Sequence, residues 1–370
     1  MKRIFVLAAL AVRLDGAQGN PAAEDQTPAA KVLQLKRAGR LTEAKALAQR
    51  ILAEAPTGET SAAYRASAMY SIGSLENELG QFTVAEPLLQ SGLELVENKV
   101  SAVPHVVVAL LTSLAEARMN QYRTEEAEAD LRRALRIAGQ YLPPEHIRLA
   151  PVWDGFGLIY YVRGQYTKAE KAFRRSMAIL EKNLGATHPE FHAQAMNLGT
   201  MLVIVGREKE ALRLLVPAVR SLEDRLGAAH PDTIRGHCGL GTALVRTDAA
   251  KGEQILRQAI ANWRKISLPE ANPTILRCFG GLTATLIQQK QMEEAVSISE
   301  RSVELMREML GPNHPQTVVQ MLDHAGVLQA AKRKKESEAL RVEVERIRVA
   351  TGYADSKRHT VDVIELRGKR

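Results

Sequence analysis

Three histidines recur in one short context: Leu184-Gly-Ala-Thr-His-Pro-Glu190, Leu226-Gly-Ala-Ala-His-Pro-Asp232 and Leu310-Gly-Pro-Asn-His-Pro-Gln316. Histidine is the commonest protein metal ligand, so His188, His230 and His314 raise the question of a metal centre. A metal needs its ligands within bonding distance of one point. If each context ends one structural unit, the three rings lie one or more units apart, roughly 10 Å per packed helix pair, and diverge along a ridge. They are expected to shape loops, with no metal bound. His188 and His192 stand four apart but lack the His-Glu-x-x-His order of a zinc protease. Cys238 and Cys278 are the only thiols. They fall at non-equivalent positions of adjacent units and are expected as two small buried or half-buried thiols rather than a bridge, which would need Cα atoms within about 7 Å. No nucleophile elbow, phosphate loop or dinucleotide fingerprint occurs. No catalytic residue and no cofactor are therefore expected.

What would have to position any such groups is a helical chain. Of 370 residues, 45% are hydrophobic and only 4% aromatic. Ala, Leu, Glu, Arg and Gln favour helices, whereas strands want β-branched and aromatic side chains. This content of apolar residues excludes a wholly disordered chain, and two cysteines exclude a disulfide scaffold. The net charge is +8, but residues 331–370 hold 12 basic and 7 acidic residues, and the first 19 hold three basic and one acidic. The body from 20 to 330 is thus near neutral, without the basic stripe that nucleic acid requires. Lys332-Arg-Lys-Lys335 is followed by Glu336 and Glu338 and reads as a solvated turn.

At the start, Met1-Lys-Arg precedes the apolar run Ile4–Val12 and the small, polar stretch Gly16–Gly19. Residues 1–19 read as a secretory signal peptide, although Arg13 and Asp15 are charged where a cleavage region is ordinarily neutral. The run is too short to span a bilayer, so no integral membrane segment is expected in the mature chain. The expectation is export, periplasmic or secreted, if the signal operates, and a cytoplasmic protein otherwise. Residues 20–30 read as a flexible lead-in and 351–370 as a basic tail.

Between them, over 31–350, one period governs the chain. The Leu-Gly corners stand at multiples of 42, with Leu142-Pro-Pro-Glu-His146 and Leu268-Pro-Glu-Ala-Asn-Pro-Thr274 in register. Ala85, Ala127, Ala169, Ala211, Glu253 and Ala295 keep the same spacing, as do Gly73, Ala115, Gly157, Gly199 and Gly241. Apolar residues at i, i+3, i+4 and i+7 over 148–163 and 166–184, broken at Gly164-Gln165, make each unit two helices. Small residues on both helices allow close approach. Around Gly252 and Leu256 the second helix looks shifted one residue earlier, which puts Glu253 in the alanine slot. Pro217 falls inside a second helix and should kink it. The proline of each corner suits a first helical turn, with the residue before it as the cap.

Trp153, Phe156-Gly157, Tyr160, Gly164, Tyr166, Ala169 and Phe173 are similar to the tetratricopeptide repeat signature. The 42-residue unit with its Leu-Gly-x-x-His-Pro corner resembles the kinesin-light-chain subfamily. The resemblance implies an all-α, right-handed superhelical solenoid of about eight stacked hairpins with irregular end units. It also implies a non-catalytic protein–protein interaction scaffold whose first helices line a concave groove. Carried onto this chain, the groove positions are Tyr70, Ser74, Asn77, Glu78, Glu116 and Asn120, then Asp154, Leu158, Tyr161, Met196, Thr200 and Val203, then Arg235, Arg246 and Arg277. Asn197 stands where the family has one of its paired first-helix asparagines. The ligand so implied is a protein or peptide segment, apolar in its middle, with an acidic end held by the arginines. Two other readings remain open: an accessory subunit of a separate enzyme, and an assembly protein that self-associates.

Overall fold

The computed structural model describes residues 28–55, 61–121, 123–266 and 268–351. The segment read as an N-terminal signal, most of that read as a lead-in, and most of the basic tail lie outside the described residues. Sixteen α-helices follow one another in pairs. The pairs are α1 (Pro28–Arg37) with α2 (Leu41–Ala53), α3 (Ala62–Glu78) with α4 (Phe82–Val96), α5 (Pro104–Asn120) with α6 (Thr124–Tyr141), and α7 (Leu149–Val162) with α8 (Tyr166–Leu184). They continue as α9 (Pro189–Ile204) with α10 (Glu208–Leu226), α11 (Pro231–Leu244) with α12 (Ala249–Arg264), α13 (Pro273–Gln288) with α14 (Met292–Leu310), and α15 (Pro315–Ala330) with α16 (Lys334–Thr351). Among the described residues there are eight helical hairpins and no strand, as the 42-residue period requires. The chain divides into two compact units: an N-terminal one through residue 201 with 221–230, and a C-terminal one of 202–220 with 231 onward.

Within a hairpin, a small residue on the first helix receives a large one from the second. A Cβ on Gly73 would come within 2.5 Å of Leu89, and one on Gly157 within 2.6 Å of the Phe173 ring. Both partners follow sixteen residues later, and both are almost wholly enclosed. In the C-terminal unit Gly241 meets Leu256 at 2.5 Å, fifteen residues on, and a Cβ on Gly252 would meet the Gly241 carbonyl oxygen at 2.9 Å. The expected one-residue shift is therefore real: α12 starts at Ala249, one residue before its register position, and Gly252 takes the place of the alanine. The turn changes with it. Gly80, Gly164 and Gly206 have φ near +70°, as do Lys290 and Lys332, but Asp248 is extended and caps α12 through its side chain, accepting from Lys251 N at 3.1 Å. α10 runs on both sides of Pro217 rather than ending there.

In the turn ahead of α7, His146 Nδ1 accepts from Arg148 N at 3.2 Å. Two other corner histidines cap helices: His188 Nδ1 accepts from Glu190 N and His314 Nδ1 from Gln316 N, each at 3.2 Å. Asn272, which replaces histidine in its corner, does the same through Oδ1 from Thr274 N at 2.9 Å. An imidazole acts here as the Asp, Asn or Ser of an ordinary N-cap, satisfying one of the orphan backbone donors.

Neighbouring hairpins are fastened by polar contacts as well as by the core. Within hairpins, Ser176 Oγ donates to the Ala150 carbonyl and Ser337 Oγ to the Ala325 carbonyl, each at 2.8 Å; between hairpins the contacts include ion pairs. Arg118 reaches Glu86 at 3.1 Å and Asp130 at 2.7 Å, and Arg123 joins the same Glu86 at 2.6 Å. In the C-terminal unit Cys238 on α11 and Cys278 on α13 form a disulfide with Cα atoms 4.7 Å apart, both wholly buried beside Leu256, Phe279 and Trp263. This corrects the expectation of free thiols. The two sites are 40 residues apart, two short of a repeat. Two residues rotate a helical position by about 200°. Equivalent positions point the same way along a stack, so two side chains that face each other must differ by half a turn. Their inequivalence is what allows the bond. Closing a loop of this length contributes about 2–4 kcal/mol in the chain-entropy account.

Two outcomes follow from this packing. Gly157→Ala should lower stability by about 1–3 kcal/mol, because the enclosed Phe173 ring must move, which outweighs the gain in helix propensity. Gly139→Ala on α6, where a Cβ meets nothing within 4 Å, should be neutral or stabilising; equal effects in denaturant titrations would refute the packing. The caps carry a pH dependence. Burial holds His314 below the usual 6.5. Its cap is intact above pH 6.5 and is lost as pH falls through the lowered value, since protonated Nδ1 cannot accept and sets a positive charge at a helix N-terminus. His314→Asn should keep stability at pH 7 and lose about 1 kcal/mol less than the parent between pH 7 and 5.

Candidate functional site

In the N-terminal unit, first helices of four successive hairpins send polar side chains to one face. α1 supplies Lys36, whose ammonium pairs with Glu78 and lies 3.2 Å from Ser74 Oγ, both on α3. Asn77, also on α3, donates from Nδ2 to the Ser113 carbonyl of α5 at 2.9 Å and to Glu116 Oε2 at 3.4 Å. Arg148, at the N-cap of α7, places its guanidinium 5.6 Å from the centroid of the Tyr70 ring on α3. This contact spans the intervening α5, so α3 and the start of α7 approach each other on this side. The face is concave there.

Burial sets the electrostatics of the cluster. It works against the Lys36 charge, but Glu78 at bonding distance more than offsets it and holds the ammonium pKa above its usual value. Burial also pushes the Tyr70 phenol up, against the pull of the Arg148 and Lys36 charges. Lys36 and Arg148 balance Glu78 and Glu116, so the face is polar without being charged.

Two repeats further on the motif recurs in a second form. Asn197 on α9 donates to Asp154 Oδ1 on α7 at 3.0 Å and to Gln194 Oε1 at 3.1 Å. Asn77 and Asn197 are 3% and 5% exposed, and in each the Oδ1 atom is enclosed without a donor. An enclosed acceptor left unpaired costs about 1–3 kcal/mol.

The remaining sequence-derived positions sort by location. Leu158, Tyr161 and Met196 are buried, and Tyr161 packs on the Tyr166 ring at 6.1 Å. Asn120 turns back to the Glu116 carbonyl of its own helix at 2.9 Å, and Thr200 to Met196 at 2.8 Å. Val203 is half-buried. Arg235 is buried and bound to Asp232 at 2.7 Å, while Arg277 is half-buried. Arg246 lies past the end of α11, in the hairpin turn, exposed and paired with Glu208 at 3.2 Å. α11 stops two residues before its register position, where Gly241 and Gly252 bring the helices together, and this removes Arg246 from the helix face. Lys36 and Arg148 are members of the face that the repeat register does not reveal. Lys36 sits in the irregular first unit, and Arg148 acts across two repeats rather than one. Among the described residues no trio of His, Cys, Asp or Glu is arranged to hold a metal ion, and no helix is long and apolar enough to cross a membrane.

A tetratricopeptide-repeat family model matches residues 106–189, and a second matches 193–232 and 275–316. No curated protein matches the sequence. Among solved structures, a Rap protein complexed with competence and sporulation factor is 13% identical and covers 87% of this chain and 97% of its own, with a TM-score of 0.58. BtubC (BKLC) from P. vanneervenii is 17% identical over 60% of this chain and 90% of its own, with a TM-score of 0.48. A kinesin light chain with nearly identical repeats from Podosopora anserina is 24% identical over 57% and 100%, with a TM-score of 0.44. At these identities the likeness concerns the fold. The 42-residue hairpins, their capped corners and the family models agree: the chain is built of tetratricopeptide repeats, and kinesin-light-chain-like repeat proteins are among its structural neighbours.

Proposed function

We propose that this chain is a non-catalytic scaffold that holds a protein or peptide segment against the concave face of its N-terminal unit. The observation that carries the reading is the pair of buried asparagines, each donating to a carboxylate on the adjacent first helix and each keeping an enclosed, undonated Oδ1. Amide groups fixed in this way are prepared for the N–H donors of a polypeptide, and Leu158, Tyr161 and Met196 between them offer apolar surroundings. That a neighbour of the same fold was solved with competence and sporulation factor bound supports a partner-holding role. An acidic end would be received by Arg235 and Arg246 only in competition with Asp232 and Glu208, so the N-terminal unit carries the stronger case.

We further propose export from the cytoplasm. The buried Cys238–Cys278 bond supports it, since disulfides persist in oxidising compartments, and the basic and apolar pattern of residues 1–12 agrees. Chain isolated from its native host and alkylated without reductant should show the two cysteines joined by mass spectrometry. Recovery with both thiols alkylated would place it in a reducing compartment and sink this reading.

The scaffold reading is tested by affinity capture from native host extract. The partner retained by the wild-type chain should be lost with Asn77→Ala/Asn197→Ala, in chain shown to be still folded by its helical circular dichroism, and kept with Arg235→Glu/Arg277→Glu. The reverse pattern would move binding to the C-terminal unit and overturn the assignment of the face.

A further inference from the structure

The Cys238–Cys278 bond is enclosed by three helices at once. Both cysteines are fully buried, and Leu256 and Trp263 of α12 and Phe279 of α13 pack around them. One turn along, Gly281 of α13 faces Thr242 of α11. A Cβ on that glycine would collide with the threonine hydroxyl and would come within 3.1 Å of Leu256. Only when α11, α12 and α13 are packed together are the sulfurs sealed.

Thiol–disulfide exchange needs a thiolate and a clear approach to the sulfur under attack. A thiol in this apolar packing offers neither, because buried structural cysteines are inert. The bond is therefore made while hairpins six and seven are still apart. That interval is short. Helical chains rich in local contacts close in microseconds to milliseconds, whereas disulfide formation takes seconds to hours, according to the oxidant. A slow oxidant would find the thiols already enclosed. A protein oxidant escapes this race, because once it is joined to Cys238 it keeps that sulfur out of the core. The intermediate itself then holds the hairpins apart until Cys278, 40 residues later, is in place.

We infer that this chain is a substrate of a dithiol–disulfide oxidoreductase that acts before hairpins six and seven close. The Cys238 thiolate attacks the disulfide of the oxidoreductase, forming a mixed disulfide and expelling one of its thiolates. The Cys278 thiolate then attacks Cys238 Sγ, which breaks the mixed bond and makes Cys238–Cys278. The oxidoreductase leaves as its dithiol, having taken up two electrons and, through solvent, the two protons that the cysteines gave up. The inference rests on the same bond as the proposed export and adds the reaction that must precede closure.

Two rate comparisons on the full-length chain test it. Oxidised chain is treated with excess dithiothreitol and its free thiols are alkylated and counted by mass spectrometry. Reduction in native buffer should be at least about thirtyfold slower than in concentrated guanidinium chloride, because it waits for an opening of the packed helices. A smaller ratio would show the sulfurs to be reachable and overturn the seal. In the second comparison, reduced and denatured chain is diluted into native buffer. A purified Cys-x-x-Cys oxidoreductase in its disulfide form is present from the start or is added after refolding. Early addition should bridge the chain rapidly, late addition at least about thirtyfold more slowly. Oxidised glutathione present from the start should leave most chains unbridged over the same time. Equal early and late rates, or equal yields from glutathione and the oxidoreductase, would overturn the need for a protein oxidant. Both comparisons start from chain oxidised or reduced in vitro. Their outcome therefore stands apart from whether the protein is exported.

Discussion

The fold depends on how closely the two helices of each pair approach. A glycine or alanine on the first helix must face a large apolar side chain sixteen residues later, and the room left is less than a methyl group. Gly73 with Leu89 and Gly157 with Phe173 show the same geometry two repeats apart. A hairpin held at that distance still has an apolar flank, and it can be buried only by the next hairpin. Repetition follows from this constraint. So does the placement of polar residues, because a first helix has its small side toward its partner and only one side left on which to present them.

Repeat six shows that the constraint acts on contacts and not on residue counts. Its second helix begins one residue early, and the small–large pair closes at fifteen instead of sixteen. The turn gives up its positive-φ residue for a capping Asp248, and α11 ends early, which carries Arg246 off the helix face. By α14 the register has returned. The corners are kept by a second rule, that an acceptor must meet the orphan N–H groups of each first helix. Histidine and asparagine are interchangeable there because both offer one, and the same requirement explains why histidine recurs at the corners.

The polar face of the N-terminal unit is where local rules yield to a different purpose. Buried asparagines, three carboxylates, a lysine and an arginine are costly in a helical stack, where apolar side chains would serve stability better. They satisfy one another in part, and the enclosed atoms left over include the Oδ1 acceptors of Asn77 and Asn197.

Much of this was legible in the sequence because the signals are local and periodic. The helix pairs, their turns, the capped Pro corners, the shift in repeat six and the positions of Asn77, Asn197, Glu116 and Asp154 on first helices all follow from spacing and from residue types that each act within one hairpin or on the next. What the sequence could not show are contacts whose partners are set by curvature or by rotation about a helix. Arg148 meets Tyr70 across α5 because the face is concave, and nothing in a 42-residue register says how far a side chain reaches over a neighbour. Lys36 enters the face from a unit too degenerate to align. The Cys238–Cys278 bond was masked by the period itself: identical positions look alike in sequence, but facing positions must differ by half a helical turn, and only the packed helices decide which residues face.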